Sequence, residues 1–501
     1  MSPLAILLAA ASPVDGPLDG EVDWARDVAP IVHRHCAECH RPDQAAPFSL
    51  LTYSDVRKRA RTIERVIASG YMPPWHPVAG HGDLRGERGL SAAEKETLAR
   101  WMETGMPAGD PQAAPDPPSF ASGWSLGEPD LVARMDRAFP VPEAGPDVYR
   151  NFCLPLGLEE DVWVRAIEVR PSARAVVHHV LFFYDDSGEA RRRDAEEELT
   201  GFSGMRIGRS RSLGGWAVGG AAYELPGGLA MRVPAGADLV LQTHFHPSGK
   251  PEEETTAVGI WFADAPPPKE IVGVQLPPEY AAYAGLDVPA GDADWRLTDS
   301  MVLPVDTELV TVGAHAHYIG REMRAWATLP DGGERRLFYI DDWDFNWQGR
   351  YVYADPVVLP AGTTLHVELV YDNSDGNPRN PFHPPQRITW GLESTDEMGA
   401  ITWVATAADA ADTEELRSAV RAKFGKAREE RVRIDVDWHA RVMRLDADGD
   451  GALAADEIPA THRRNLLRMD TNGDGELDAS ELAVLKTLSR RGAGRDGGGP
   501  R

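Results

Sequence analysis

AVVHHVLFF at 175–183 places two adjacent histidines inside a run rich in Val and Phe, and it sets the reading of the middle of this chain. A run of that length and composition reads as a β-strand. Similar short strands recur at 161–169, 239–245, 308–317 and 364–371, separated by Gly, Pro and Asp turns. Residues 121–404 therefore read as all-β, divided into two sandwiches by the proline-rich joint DAPPP at 264–268. Further strands carry further metal-binding side chains. LVLQTHFHP (239–247) holds His244 and His246, VGAHAHYIG (312–320) holds His315 and His317, and ITWGLESTDEM (388–398) ends on Met398.

Seven such side chains in this order, with Cys153 the one cysteine of the region, suggest a particular metal. With His246 set aside as a rival to His244, the five remaining imidazoles divide into three and two, and the lone thioether joins the pair. A three-histidine site beside a site of two histidines and a methionine suits copper, whereas zinc and iron sites more often recruit carboxylate or thiolate. In a strand, residues i and i+2 share a face, so His315 and His317 can grip one ion together. By the same rule the strand does not decide between His244 and His246, although Pro247 suggests that the strand ends there. A soft thioether from Met398 favours the cuprous state and leaves the metal accessible. His366 and His383 read as structural, and Cys153 as a small buried hydrophobe.

CAECH at 36–40 is a c-type haem attachment sequence. Cys36 and Cys39 reach the two vinyl groups of one porphyrin, and His40 becomes the proximal iron ligand. Met72, in MPPW, is the expected second axial ligand, with His76 the alternative and His81, His33 and His35 behind it. A structural zinc site would need four closed ligands, and no second cysteine pair is present. Helical spacing at 23–35, 53–69 and 91–105, the last opening on a Ser91/Glu94 capping box, makes this region helical. RPDQAAPFSLLTY and MPPW within 28–77 resemble the cytochrome c domains of exported bacterial proteins, which implies an all-α cytochrome c-like haem domain over 22–106.

Near the C-terminus, Asp446, Asp448, Asp450 and Glu457 fit a twelve-residue EF-hand loop with Gly451 at its turn, and Asp470, Asn472, Asp474 and Glu481 fit a second with Gly475. Hard oxygen ligands at positions 1, 3, 5 and 12 meet the demands of calcium. Asp478 adds an oxygen at position 9 of the second loop, where the first has Ala454. The expected fold over 414–490 is an α-helical EF-hand pair with a shortened connecting helix at 458–469, in a stabilising or docking role.

The bulk numbers bound the rest. A chain of 501 residues suggests several domains, and a net charge of −26 argues against nucleic acid or an anionic membrane as partner. Three cysteines, two of them in the haem motif, leave no disulfide framework. LAILLAAA at 4–11 reads as the end of a signal peptide over 1–20, which makes the protein periplasmic or secreted. No apolar run is long enough for a transmembrane segment. Further joints fall at 107–120 and 405–413, and the Gly/Arg-rich tail 491–501 reads as disordered.

The four histidine- and methionine-bearing stretches, in this order, resemble the copper type II, ascorbate-dependent monooxygenases, which include the peptidylglycine α-hydroxylating and dopamine β-monooxygenases. The resemblance covers about 122–404. It implies two linked antiparallel β jelly-roll sandwiches, 121–263 and 269–404, each presenting one copper to a shared solvent cleft. It implies that His178, His179 and His244 hold the electron-supplying copper, with Gln242 nearby, and that His315, His317 and Met398 hold the copper that binds dioxygen. The activity implied is hydroxylation of a C–H bond of an organic or peptide-like substrate, with ascorbate or a redox protein as electron donor. The fused haem suggests a further electron source. The peptide-hydroxylating branch holds its substrate carboxylate with an arginine and a tyrosine where this chain has Gly313 and Thr402, which argues against a C-terminal glycine substrate. The same absence motivates the alternative of a non-catalytic copper-binding or electron-transfer protein.

Overall fold

The computed structural model describes residues 21–430, 442–458, 466 and 469–483, except 43, 45, 121–122, 146, 205–210, 218–219 and 221. The expected signal peptide at 1–20 and tail at 491–501 lie outside these residues. The chain divides into two compact units, one of residues up to Trp75 together with Glu87–Phe120, the other of His76–Gly86 and everything from Ala121 on.

In the first unit a π-helical turn, Trp24–Val28, runs into α1 (Ala29–His35), followed by α2 (Tyr53–Ala68) and α3 (Ala92–Glu103). Thr52 and Asp55 cap α2 reciprocally, and Ser91 and Glu94 cap α3 as the sequence suggests. Val28, Val32, Val56, Leu98 and Trp101 form its core.

The second unit contains the strands. Those of the first sandwich are β1 (Leu131–Arg134), β2 (Phe139–Val141), β3 (Val148–Pro155), β4 (Val162–Arg170), β5 (Val177–Asp185), β6 (Arg211–Ala217), β7 (Tyr223–Glu224), β8 (Met231–Val233), β9 (Asp238–Phe245), β10 (Glu252–Glu254) and β11 (Ala257–Phe262). One sheet has the order β3-β9-β5-β6 and the other β1-β11-β4-β7, with β8 also on β4. Val180, Phe182, Leu239, Leu241 and Phe245 from the first sheet meet Val164, Ile167, Val258 and Ile260 from the second in one core. A short helix, α4 (Glu189–Glu196), follows β5.

The second sandwich uses β12 (Ile271–Leu276), β13 (Asp287–Val288), β14 (Trp295–Val302), β15 (Thr307–Ala316), β16 (Gly320–Thr328), β17 (Glu334–Ile340), β18 (Arg350–Leu359), β19 (Thr364–Tyr371), β20 (Ile388–Thr389) and β21 (Gly399–Ala407). Its sheets run β12-β21-β15-β18 and β14-β19-β16-β17, all pairs antiparallel. Val310 and Val404 from the first of these sheets join the core of the other sandwich, so one face of that sheet is turned toward it. Residues 76–86 also belong here, through the bridges Pro77↔Ile340 and Leu84↔Tyr353.

The fold class expected from the sequence needs correction at both ends. β-Sandwich sheets make up most of the described chain. The stretch 22–106 does not close as an all-α cytochrome c-like domain: its three helices are short, long loops separate them, and 76–86 departs to the β unit. Gly70, Pro73, Pro74, Pro77, Gly80 and Gly82 explain why helix is not sustained there. Nor do the described residues of 414–490 form an α-helical EF-hand pair. One helix, α5 (Thr413–Glu429), ends well before the acidic loops, and around them the described residues carry a 3-10 turn (Met443–Leu445), a helical turn at 479–483 and single helical positions at 442 and 466. Within the loops the carboxylates accept from their own backbone N–H groups, as Asp446 does from Gly449 and Gly451, so each turn is closed locally rather than by helix.

Gly399 begins β21 directly after Met398, and a Cβ there would overlap the Tyr371 hydroxyl and press on Leu369 Cδ1 at 2.8 Å. That hydroxyl donates to the Met398 carbonyl (3.0 Å) in a buried setting. Gly399→Ala is therefore expected to cost about 1–3 kcal/mol, read from urea unfolding, as overfilled cores do. An unchanged midpoint would contradict this close approach.

Candidate metal centres

Successive residues of a strand point to opposite faces, so the pair His178-His179 cannot face one ion from a regular strand. The structure resolves this with a β-bulge. Strand β5 pairs Val177 with Phe245 of β9, and the next pair is His179 with His244, which leaves His178 as an extra residue. Val177 and Val180 keep their places in the core, while the outer face of the sheet carries Tyr149, His244 and His179 in one row across β3, β9 and β5. The Nδ1 atoms of His178 and His179 lie 3.1 Å apart, those of His179 and His244 3.4 Å apart, and the three residues present ligand atoms within 4.8 Å of one another. His178 Nε2 is buried and has no partner.

His244 donates from Nε2 to Asp147 Oδ2 (2.8 Å), which leaves Nδ1 for a metal. His246 points elsewhere: it is exposed and donates from Nδ1 to Asp147 Oδ1 (2.8 Å). The turn of the chain after Phe245 separates the two, so that His244 stands with His178 and His179 and His246 does not. Burial alone would raise the Asp147 pKa, but its bonds and charge interactions with His244 and His246 bring it down to about 2. Tyr149 stacks on His244 with ring centroids 4.3 Å apart. Gln242, buried two residues before His244, donates to Asn151 Oδ1 (3.1 Å).

The second group stands on β15 and the turn before β21. His315 and His317 lie on one face with ring centroids 5.3 Å apart. His315 donates from Nδ1 to Gln348 Oε1 (2.6 Å), and His317 from Nδ1 to the Asp396 carbonyl (3.1 Å), so each keeps Nε2 for a metal. Ala316 pairs with Gly399. One step further along this antiparallel register lie His317 and Met398, which puts Met398 on the histidine face. Glu397 is fully buried beneath this turn, and its carboxylate accepts N–H bonds from His317, Met398 (2.8 Å) and Ile319 (3.2 Å). It ties the two ligand segments together, and burial raises its pKa to about 8 despite those donors.

Phe345 enters between the two groups from the loop before β18. It stacks on His178 at 5.2 Å and meets His317 edge-on at 5.6 Å. An aromatic ring therefore stands where the resemblance implies an open solvent cleft. The same loop supplies Gln348 to His315, and Trp343 donates to the His317 carbonyl (3.3 Å). Gly313 pairs with Thr402 on one side and Arg350 on the other. The Arg350 guanidinium lies over the Tyr223 ring, and burial brings its pKa down to about 9. Sequence reasoning missed Asp147, Glu397, Phe345 and Gln348. For Glu397, its place beside Met398 in the quoted stretch was the only signal; the others lie outside the ligand motifs.

The remaining expected sites divide between the ends of the chain. His40 donates from Nδ1 to the Phe48 carbonyl (3.1 Å), which leaves Nε2 free, and Cys36 and Cys39 are unpaired thiols. Met72 follows α2, its N–H donating to the Val66 carbonyl (3.1 Å). His33 donates to the Leu51 carbonyl (3.2 Å), and His35 bonds Arg88 and Glu94. His76 and His81 belong to the β unit, where His81 lies against Tyr339. In the C-terminal loops, Asp446, Asp448 and Asp450 present ligand atoms within 4.8 Å of one another. Glu457 and Glu481 each fold back on the opening residues of their loop, Glu457 to Ala447 and Asp448, Glu481 to Thr471 and Asn472. Asp470 and Asn472 hold the second loop as Asp446 and Asp448 hold the first, with Asp474 and Asp478 in turn bonding Glu476 and Ser480. Leu453 and Leu477 join the two loops by a pair of backbone bonds.

No known protein family matches this chain, and no curated protein does. Among solved structures, it is similar to the major capsid protein P2 of bacteriophage PM2, at 9% identity and a TM-score of 0.23 over 52% of this chain and 97% of that one. It is also similar to PNGase F, a glycosylasparaginase from Flavobacterium meningosepticum, at 12% identity and a TM-score of 0.21 over 56% of this chain and 96% of that one. Likenesses this remote carry no functional argument. Among the described residues no helix is long and apolar enough to cross a membrane.

The metal-free centres make a pH prediction. Burial, with repulsion from neighbouring imidazoles, lowers His178 to about 3 and holds His179 and His317 well below the ordinary histidine value. Burial likewise lowers His315 to about 4 against the bond to Gln348. The unfolded chain takes up these protons near pH ~6.5 and the folded chain refuses them, so stability is intact above that pH and falls as the pH drops toward ~4. Urea midpoints of the metal-free protein are expected to decline through this window, and less steeply in His178→Asn. A flat profile in the wild type would mean that these imidazoles are hydrated.

Proposed function

We propose that this protein is an exported copper-dependent monooxygenase that hydroxylates a C–H bond of an organic substrate with dioxygen. The observation that carries the proposal is the pair of ligand groups on facing surfaces of the two sandwiches. In the first, a bulge turns His178 and His179 to the same face as His244. In the second, His315 and His317 each have the second ring nitrogen occupied by an acceptor, beside Met398. Imidazole-rich sets with one thioether and no thiolate fit copper better than zinc or iron. Copper held there would supply one-electron chemistry with dioxygen. The chain's own part is to keep the imidazoles neutral by burial, to orient them through Asp147, Gln348 and the Asp396 carbonyl, and to exclude water with Phe345.

The haem proposal rests on CAECH and on His40, whose Nδ1 bond leaves Nε2 available; His40 and Met72 would hold the iron. Haem c attached at Cys36 and Cys39 would supply a one-electron relay alongside ascorbate or a redox protein. Calcium is assigned to the two acidic loops in a stabilising role.

The test is mass spectrometry of candidate organic substrates after incubation of the copper-loaded chain with a reductant and ¹⁸O2. A single ¹⁸O atom is expected in the product, and Met398→Ala should abolish its incorporation. Copper loading without label in any substrate would instead favour the electron-carrier alternative. For calcium, dissociation constants of roughly 10⁻⁴–10⁻³ M imply that ~10 mM calcium adds about 1–3 kcal/mol per loop. Thermal unfolding should show this gain in the wild type, and Glu457→Gln with Glu481→Gln should remove it.

A further inference from the structure

We propose that Asp147 and Ser394 form a clasp between the two sandwiches that makes metal binding at one histidine group depend on occupancy of the other. Asp147 lies just before β3 in the first sandwich, and Ser394 lies in the turn that leads to Met398 in the second. Ser394 donates from Oγ to Asp147 Oδ2 (3.1 Å), the oxygen that also accepts from His244 Nε2 (2.8 Å). With its proton committed, the Ser394 hydroxyl accepts from the Tyr149 hydroxyl (2.8 Å), and the Tyr149 ring lies flat on His244. Ser394 is buried and Asp147 mostly so, which keeps water from replacing these bonds.

The second half of the connection is local. The turn holding Ser394 is closed by Glu393 N–H to Asp396 Oδ2 (3.1 Å) and by Asp396 N–H to the Glu393 carbonyl (2.9 Å). The Asp396 carbonyl takes the proton of His317 Nδ1, and the next residue, Glu397, accepts from the backbone of both His317 and Met398. Hydrogen bonds and one five-residue turn thus connect His244 to His317 and Met398. A cation on His244 Nδ1 makes its Nε2–H a stronger donor, which holds Asp147 and through it the Ser394 turn. The second group then meets an ion with its turn already ordered, so the two affinities are linked, and the linkage is reciprocal.

The clasp rests on the copper proposal, and the test separates the two. Cu(I) is titrated into the metal-free full chain against a competing chelator, for the wild type, Ser394→Ala and Asp147→Asn. In the wild type, the second group is expected to bind at least about fivefold more tightly once the first is filled than when His179→Ala prevents filling. Ser394→Ala should remove that difference and leave the first group within about twofold. Asp147→Asn should weaken the first group itself by about tenfold or more, because it loses the charged partner of His244. Two copper ions bound independently in the wild type would overturn the clasp and leave the copper proposal standing, as would a difference that survives Ser394→Ala. Failure to bind copper at either group would overturn both.

Discussion

One extra residue in one strand is the constraint on which the candidate centre depends. Alternation along β5 would send His178 and His179 to opposite sides of the sheet, one of them into the core among Phe182, Leu241 and Phe245. A buried imidazole there would have no partner and would cost of the order of 1–3 kcal/mol. The bulge at His178 removes the conflict without moving the apolar residues on either side. The ladder beyond it is in register again, so the cost is confined to one unpaired residue, and three imidazoles come together.

The two groups are linked by what stands between the sandwiches. Phe345 stacks on an imidazole of one group and touches one of the other, and the Asp147–Ser394 contact spans the same boundary. Buried imidazoles stay neutral and keep ring nitrogens available, while each polar partner fixes which nitrogen that is. Glu397 plays a related part in the backbone. A single carboxylate placed under the turn collects N–H groups from both ligand segments, so neither His317 nor Met398 can shift alone.

Much of this was legible in the sequence for a physical reason. Strands with period-two alternation announce themselves, and the strand expected at 364–371 is found as Thr364–Tyr371. Spacing of i and i+2 expects His315 and His317 on one face, and their rings do lie side by side there. What spacing could not show was the bulge, because nothing in AVVHHVLFF says which residue leaves the ladder. Asp147, Gln348 and Phe345 act across sequence separations that no local pattern encodes. The corrections at the two ends have a common origin: CAECH and the acidic loops are short motifs, and a motif specifies a few side chains without specifying the helices around them.

In the proposed centres, five imidazoles and one thioether divide between two copper ions. Copper K-edge X-ray absorption on the fully loaded Cu(I) chain tests it most directly. Two ions per chain with imidazole shells, and a sulfur contribution that disappears in Met398→Ala, are the predicted result. A single bound ion, or a spectrum without sulfur in the wild type, would contradict it.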